Sequence, residues 1–375
     1  MTPGNPGVPR NPGVSRNPGV STTTVGETPP ATGGWREGDP VGRRRWFRGA
    51  LPGLPLSIAY ETWGEPNEDR SNAVLVLHAL TGDSHVAGGV EPGHPTPGWW
   101  DGLVGPGRAL DPAEWFVVAP NVLGGCQGTT GPWAPAPDGA PWGPRFPRVS
   151  VRDQVAAEVL LADHLGIGAW AAVLGGSMGG MRALEWAVSE PDRVRSLLVL
   201  ASPAASTAEN IALASAQLHA IALDPVRGMG VARRIAHVSY RSEPELAARF
   251  GRAVQPDGRF AVESYLDHHA DKLARRFDPE SYAVLTEAMN GHDVGRDRGG
   301  VRAALGRVTA RTIVAGIDSD RLYPPHLQAE IAEAVPGAGD LRVVTSPYGH
   351  DAFLIEVDQV AKLVDELLEG VRDPR

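Results

Sequence analysis

The most restrictive feature of this sequence is a glycine-flanked serine between an apolar run and a helix-like run. Residues 169–174 are apolar, residues 175–179 read Gly-Gly-Ser-Met-Gly, and residues 181–188 have helical character. The G-x-S-x-G pattern is typical of a sharp strand-to-helix turn that exposes one serine hydroxyl at the top of a parallel sheet. Ser177 is therefore a candidate nucleophile at a helix N-terminus, where free N–H groups can stabilise an oxyanion. The alternative is a glycine-rich turn whose serine has no chemical role.

The size and charge of the chain limit its class and its partners. Its 375 residues are enough for a large core, and its formal net charge is −9. No apolar run is long enough to span a bilayer and no basic block stands out, so neither a membrane nor a nucleic acid is an expected partner. No secretory signal is visible, and the single cysteine, Cys126, cannot form an intramolecular disulfide. A cytoplasmic location is expected.

The first segment differs from the rest of the chain in composition. Asn-Pro-Gly-Val recurs at Asn5, Asn11 and Asn17, and large apolar residues are scarce. Such a segment cannot bury enough apolar surface to offset the entropy lost on ordering. We expect residues 1–40 to be a disordered tail without a catalytic role.

The remaining chain predicts an α/β class with a mainly parallel sheet and helices on both faces, because predicted buried strands alternate with helices. The predicted strands occupy residues 56–60, 73–77, 115–120, 169–174, 194–200, 311–317 and 341–345. A block of predicted helices interrupts this alternation at residues 207–223, 230–240, 243–250, 262–277 and 279–290. We assign residues 41–202 and 299–370 to the core. Residues 203–298 would form an inserted helical lid over the nucleophile.

The strand at residues 73–77 leads directly into a polar loop at residues 78–85. In proteins whose nucleophilic serine lies on such a strand-to-helix turn, the corresponding loop supplies the second oxyanion donor. We predict that the backbone N–H groups of Leu80 and Met178 form this oxyanion hole. His78 and His85 are expected to make structural hydrogen bonds and to take no part in catalysis.

A serine nucleophile needs a base within hydrogen-bond reach and an acid that orients the base. The expected chain order is Ser, then Asp or Glu, then His. His350 follows the last predicted strand, and both Asp318 and Asp320 follow the strand before it. All of these residues would lie at the carboxyl edge of the sheet, where open α/β sheets place their sites. The spacing alone leaves open which aspartate is the acid.

A second candidate nucleophile lies in the glycine-rich loop at residues 121–132. Cys126 lies in this loop, but no elbow or helix start would activate its thiol. The loop also lacks the Lys-Ser/Thr of a phosphate-binding loop, so we interpret it as a wall of the pocket. The histidines do not show convincing ligand spacing, so no metal is expected.

Several motifs together resemble those of the homoserine O-acetyltransferases, acyltransferases with the α/β-hydrolase fold. They occupy residues 78–82, 121–132, 153–154, 175–180, 184–186, 319–324 and 348–351. The resemblance runs from about residue 45 to residue 368. It implies transfer of an acetyl group from acetyl-CoA to L-homoserine by ping-pong kinetics through an acetyl-serine. The product would be O-acetyl-L-homoserine for methionine biosynthesis. The resemblance also implies a homodimer without a permanently bound cofactor.

The resemblance also implies roles for individual residues. It makes Asp320 the acid of the triad, because the matching aspartate of the family precedes x-Leu-Tyr/Phe. Arg233 matches a substrate-binding arginine in the lid, and Asp351 matches the acid that holds the substrate amine. Homoserine is a zwitterion, so its recognition requires one cation and one anion.

The sequence departs from the family pattern at two places, and three alternative activities stay open. Asp224 is only a few residues from Arg233, where the family has a longer loop, and residues 132–134 read Pro-Trp-Ala where it tends to have Pro-Ser-Ser. We expect a shortened lid and an altered acyl pocket. The alternatives are a homoserine O-succinyltransferase, a serine O-acyltransferase, and an esterase that uses the same triad with water.

Overall fold

The sheet of this protein is mainly parallel, as the sequence predicts. The computed structural model describes residues 33–372, and within them one eight-stranded sheet has the order β1-β2-β4-β3-β5-β6-β7-β8. Its strands are β1 (Arg45–Leu51), β2 (Leu54–Trp63), β3 (Ala73–Leu77), β4 (Phe116–Pro120), β5 (Ala172–Gly176), β6 (Ser196–Leu200), β7 (Arg311–Ile317) and β8 (Arg342–Val344). β2 pairs antiparallel with β1 and β4, and all other neighbours pair in parallel.

Helices cover both faces of the sheet. Those of the described range are α1 (Val151–His164), α2 (Met178–Ser189), α3 (Ala208–Leu223), α4 (Pro225–Tyr240), α5 (Glu243–Phe250), α6 (Ala261–Ala274), α7 (Pro279–Asn290), α8 (Val301–Leu305), α9 (Pro325–Ala334), α10 (Ala352–Ile355) and α11 (Val357–Arg372). Val173 of β5 lies in the same core as Trp186 of α2, whereas Leu174 lies in the opposite core with Val360 of α11. Among these helices, none has both the length and the apolar character needed to cross a membrane.

The helices of the predicted lid lie between β6 and β7 along the chain. α5 and α7 have the predicted bounds, α4 begins earlier than predicted and α6 ends earlier. The Asp224 carboxylate accepts hydrogen bonds from the N–H groups of Val226 and Arg227, and Pro225 occupies the first helical turn. Both features favour a helix start. The short connection from Asp224 to Arg233 is therefore helical itself; the division into core and lid stays a prediction.

The predicted boundary of the N-terminal tail is wrong for residues 33–40, while residues 1–32 lie outside the described residues. The backbone N–H of Trp35 donates to the carbonyl oxygen of Cys126 at 2.9 Å. The Trp35 ring packs against Trp46 and Trp133, with ring centroids 5.1 and 5.9 Å away. These ring contacts attach the segment to the core. Trp133, which stands where the family tends to have a serine, is one of the two packing partners of Trp35.

Candidate active site

The turn that carries Ser177 has the geometry of a nucleophile elbow. Ser177 lies between β5 and α2 with φ 56° and ψ −126°, a conformation that few non-glycine residues adopt and that stores strain. A Cβ on Gly175 would lie 2.1 Å from the carbonyl oxygen of Gly179, and a Cβ on Gly179 would lie 2.0 Å from that of Leu77. Only glycine fits at both positions, because α2 begins in direct contact with the end of β3.

Three predicted residues meet at the carboxyl edge of the sheet. His350 Nε2 lies 2.9 Å from Ser177 Oγ, and His350 Nδ1 lies 2.6 Å from Asp320 Oδ2. Asp320 Oδ1 accepts hydrogen bonds from the N–H groups of Leu322 and Tyr323 at 2.8 and 2.9 Å. All three residues are at most 5% exposed. The arrangement can move a proton from the serine hydroxyl to an oriented imidazole.

The two candidate acids differ in direction and exposure. Asp318 is exposed, and its Oδ1 accepts a hydrogen bond from the N–H of Ser346 at 3.0 Å. Asp320 is buried and is bonded to the imidazole of His350. The geometry therefore favours Asp320, the residue that the family resemblance implied.

The pKa of His350 reflects two opposing effects. Burial of the ring lowers this pKa, but the charge of the Asp320 carboxylate and its hydrogen bond outweigh burial, with a smaller contribution from Asp351. The pKa of His350 is therefore raised above its usual value. A raised pKa makes the imidazole a stronger base for the serine proton.

The two predicted oxyanion donors lie in one apolar cluster at the top of β3 and the start of α2. Both Leu80 and Met178 are buried in this cluster. In the described part of the chain, neither of their backbone N–H groups donates a hydrogen bond to a protein acceptor. An oxyanion hole requires buried N–H groups without a protein acceptor; both residues meet this condition, and Met178 directly follows the nucleophile.

A buried ion pair holds the loop that carries Leu80. Arg182 of α2 donates to the Glu158 carboxylate at 2.6 Å and to the carbonyl oxygen of His78 at 2.7 Å. His78 Nε2 accepts a hydrogen bond from the N–H of Val122 at 3.1 Å. Burial and the nearby Arg182 lower the pKa of His78 to about 3, so the ring is neutral. His78 makes structural hydrogen bonds, in agreement with the sequence prediction.

Two other histidines, His85 and His94, contact the buried carboxylate of Glu61. His85 Nδ1 and His94 Nε2 lie 3.2 and 3.3 Å from the two oxygens of the buried Glu61 carboxylate. The side chains are types that bind metals, but the two rings are stacked 3.9 Å apart at 10°. A metal ion lies near the plane of a ligating imidazole, and one ion cannot lie near the planes of two rings that are stacked face to face 3.9 Å apart. We interpret the cluster as a carboxylate that bridges two histidines; the expectation that no metal is needed stays a prediction.

The two residues that the resemblance assigns to the acceptor both lie close to the triad. Asp351 directly follows His350, and its Oδ2 is 3.3 Å from Nε of Arg241. The Arg233 guanidinium lies 5.7 Å from the centre of the Tyr240 ring, which in turn lies 5.7 Å from that of His350. In the described part of the chain, the buried Nε of Arg233 has no hydrogen-bond partner. A cation and an anion thus lie in the neighbourhood of the triad histidine.

Sequence reasoning missed Tyr240 and Arg241, which complete this region. Tyr240 is seven residues from Arg233 on α4, a spacing of about two helical turns that places both on one face. That spacing is the signal that could have found Tyr240. Arg241 caps the same helix and offers no comparable pattern.

Cys126 is poorly placed to act as a nucleophile. Its side chain is buried, and burial raises the pKa of the thiol to about 12. Its Sγ accepts a hydrogen bond from the N–H of Asp278 at 3.4 Å. The thiolate, which is the reactive form, is therefore scarce at neutral pH.

Comparison with known proteins agrees with this geometry. Residues 72–357 match a family described as having the alpha/beta hydrolase fold. A homoserine O-acetyltransferase from Thermobifida fusca (strain YX) is 62% identical over 370 residues, which cover 90% of this chain and 97% of the relative.

Solved structures show the same fold. A homoserine O-acetyltransferase from Bacillus anthracis has a TM-score of 0.79 at 24% identity and covers 87% of this chain and 96% of its own. An acetylester hydrolase from Corynebacterium glutamicum has a TM-score of 0.75 at 27% identity and covers 88% of this chain and 97% of its own. The fold is thus shared by a transferase and a hydrolase.

Sequence similarity separates these two classes where the fold does not. An identity of 62% over nearly the full length of both chains is shared with a transferase, and the resemblance inferred from the motifs is confirmed. The chain belongs to the homoserine O-acetyltransferase family and is an acyltransferase with the α/β-hydrolase fold.

Proposed function

We propose that this enzyme transfers an acetyl group from acetyl-CoA to the hydroxyl of L-homoserine. The observation that carries the proposal is a hydrogen-bonded Ser177, His350 and Asp320 with a cation, Arg233, and an anion, Asp351, in the same region. A zwitterionic acceptor needs both charges, whereas water needs neither. The product, O-acetyl-L-homoserine, would serve methionine biosynthesis.

The first half-reaction acetylates the serine. His350 Nε2 takes the proton from Ser177 Oγ as the oxygen attacks the thioester carbonyl of acetyl-CoA. The N–H groups of Leu80 and Met178 stabilise the oxyanion of the tetrahedral intermediate. When the intermediate collapses, the C–S bond breaks, His350 returns its proton to the departing thiolate, and acetyl-Ser177 and CoA result.

The second half-reaction moves the acetyl group to the acceptor. Arg233 binds the carboxylate of homoserine and Asp351 binds its ammonium group, so the hydroxyl faces the ester carbon. His350 takes the hydroxyl proton as the oxygen attacks, and the new tetrahedral intermediate collapses with cleavage of the bond to Ser177 Oγ. His350 returns the proton to Ser177. The two half-reactions share one base and predict ping-pong kinetics.

The surroundings of the triad suggest how water is kept out. Ser177 is 5% exposed, and a neighbouring cavity lined by Leu80, Tyr240 and Tyr323, among others, has a volume of about 40 Å³. This volume holds only roughly one to three water molecules. The helices around it, α3, α4 and α7, would therefore move to admit acetyl-CoA. Closure over acetyl-Ser177 would then limit its hydrolysis.

A homodimer in the cytoplasm is part of the same proposal. Apolar side chains on the surfaces of α3 and α4 support it, because Ile211, Val231 and Val238 are 41%, 45% and 41% exposed. A second copy of the chain would cover such residues. Light scattering of the purified protein measures the oligomeric state; a monomer at all concentrations would contradict the dimer.

The release of CoA by the purified protein tests the proposed activity. Acetyl-CoA and succinyl-CoA are each supplied alone, with L-homoserine and with L-serine. The proposal expects release that depends on L-homoserine and prefers acetyl-CoA. A preference for succinyl-CoA or for L-serine would contradict the substrates, and release that ignores the acceptor would indicate an esterase.

The pH profile of the reaction is expected to reflect the raised pKa of His350. The base accepts a proton only in its neutral form, so activity falls as the pH drops through this pKa. The acid limb of kcat/KM for acetyl-CoA should therefore have its inflection above about 6.5, the usual histidine pKa. Asp320→Asn removes the charge that raises the pKa and should move the inflection of the residual activity to lower pH. An inflection that does not move would contradict this account.

A further inference from the structure

The segment after α4 is in direct contact with the loop that carries His350. Gly349 has φ 69°, and a Cβ placed on it would lie 2.6 Å from the carbonyl oxygen of Tyr240 and 2.7 Å from the backbone nitrogen of Ser242. The Ser242 hydroxyl donates a hydrogen bond to the carbonyl oxygen of Pro347. Residues 240–242 of the predicted lid therefore lie against the backbone immediately before His350.

Arg241 extends from this segment to Asp351. Its Nε lies 3.3 Å from Asp351 Oδ2, and the two side chains are 12% and 19% exposed. Nη1 of Arg241 lies 4.0 Å from Oε1 of Glu245, which is four residues further along the chain. The Nε–Oδ2 contact is an ion pair without the alignment of a hydrogen bond.

The Asp351 carboxylate keeps its capacity to accept hydrogen bonds. In the part of the chain that the structure describes, neither of its oxygens accepts one. Arg241 is close to Oδ2, and Oδ1 does not take part in that ion pair. A partly buried carboxylate without a hydrogen bond is a good partner for an ammonium group.

We propose that Arg241 is a positioning residue for the acceptor, because its ion pair with Asp351 keeps that carboxylate directed toward the ammonium group of the bound amino acid. The inference deepens the proposed function and rests on the role given there to Asp351. Arg241 itself touches neither the acyl group nor the triad serine.

The charges around Asp351 support this role. Burial raises the pKa of Asp351, and the Asp320 carboxylate raises it further. Arg241 is the strongest of the groups that oppose this rise, ahead of His350 and Arg233. Without Arg241 a larger fraction of Asp351 would be protonated, and a neutral carboxyl group attracts an ammonium group much less than a carboxylate does.

Substitution of Arg241 in the full-length enzyme tests the proposal. Arg241→Met removes the charge but keeps much of the side-chain volume, and we expect KM for L-homoserine to rise about 10-fold to 100-fold. The burst of CoA release from acetyl-CoA alone should stay within about twofold of wild type, because the first half-reaction does not use Asp351. Arg241→Lys should restore most of the affinity for homoserine, since it keeps the charge.

Arg249→Met is the matched control. Arg249 also pairs with Glu245, at 3.4 Å, but it belongs to α5 and is half exposed, with its guanidinium near the rings of Phe250 and Tyr265. We expect its KM values to match those of wild type. A purely structural role for Arg241 would instead lower the burst rate and kcat together, without a change in KM, and that result would overturn the proposal.

Asp351→Asn separates a failure of the inference from a failure of the proposed function. If KM for L-homoserine stays unchanged in Asp351→Asn, the assigned role of Asp351 is wrong and the inference falls with it. If Asp351→Asn raises KM but Arg241→Met does not, only the inference is wrong. If the proposed function and the inference are both correct, Arg241→Met should raise KM for L-homoserine little further in the Asp351→Asn background, because the two residues act as one unit.

Discussion

Replacing Ser177 with alanine is expected to lower acyl transfer by about four orders of magnitude or more, because it removes the oxygen that would carry the acetyl group. The fold should remain, since alanine needs less space and Ser177 Oγ bonds only to His350 in the described part of the chain. Steady-state turnover with acetyl-CoA and L-homoserine measures the loss, and thermal unfolding checks the fold.

Ser196→Ala provides the control for this variant. Ser196 is also a buried serine, but it begins β6 and so lies at the opposite edge of the sheet from the triad. We expect its turnover to stay within about twofold of wild type, as for most substitutions away from the site. Turnover by folded Ser177→Ala above about one hundredth of the wild-type rate would exclude Ser177 as the nucleophile.

The second large effect is expected from Asp320→Asn, which should lower kcat on the order of 10³-fold to 10⁴-fold. Asp320 Oδ1 accepts two backbone hydrogen bonds, so the asparagine oxygen must stay at that position. Its NH₂ group would then face His350 Nδ1 and force the imidazole proton onto Nε2. An Nε2 that carries the proton cannot accept one from Ser177.

Asp318→Asn is the matched control at the same strand end. Asp318 is exposed, and an asparagine oxygen can still accept the hydrogen bond from Ser346. We expect kcat within about threefold of wild type. A severe effect of Asp318→Asn together with a mild effect of Asp320→Asn would reassign the acid.

The central part of the fold could be predicted from the sequence because its signals are local. β3 and β7 were predicted with their observed bounds, and α1 begins after Ser150 as its capping interaction requires. The glycines around Ser177 identify the turn on steric grounds. These elements need no knowledge of distant residues.

The features that were missed depend on exposure or on contacts between distant segments. β1 is an edge strand whose residues are exposed or half-buried, so it has no apolar pattern. The cluster of Glu61, His85 and His94 joins β2 to a loop more than twenty residues away, and no spacing rule links them. The early start of α4 was readable, because Asp224 followed by Pro225 is a helix-start pattern.

The choice between Asp318 and Asp320 shows where sequence spacing stops being informative. Both aspartates follow β7 by at most three residues. Only the backbone after Ile317 decides which carboxylate turns toward His350, and it directs Asp318 toward Ser346. Similarly, the fold cannot separate a transferase from a hydrolase, since both classes occur among its structural relatives. The 62% identity to a homoserine O-acetyltransferase carries that distinction.

The mass of the intact protein after exposure to acetyl-CoA tests the central claim most directly. Without an acceptor, we expect one acetyl group per chain, located on the peptide that contains Ser177. Addition of L-homoserine should remove this group and yield one O-acetyl-L-homoserine for each acetyl group lost. Turnover without acetyl-Ser177, or loss of the acetyl group to water at the same rate with and without L-homoserine, would contradict the account.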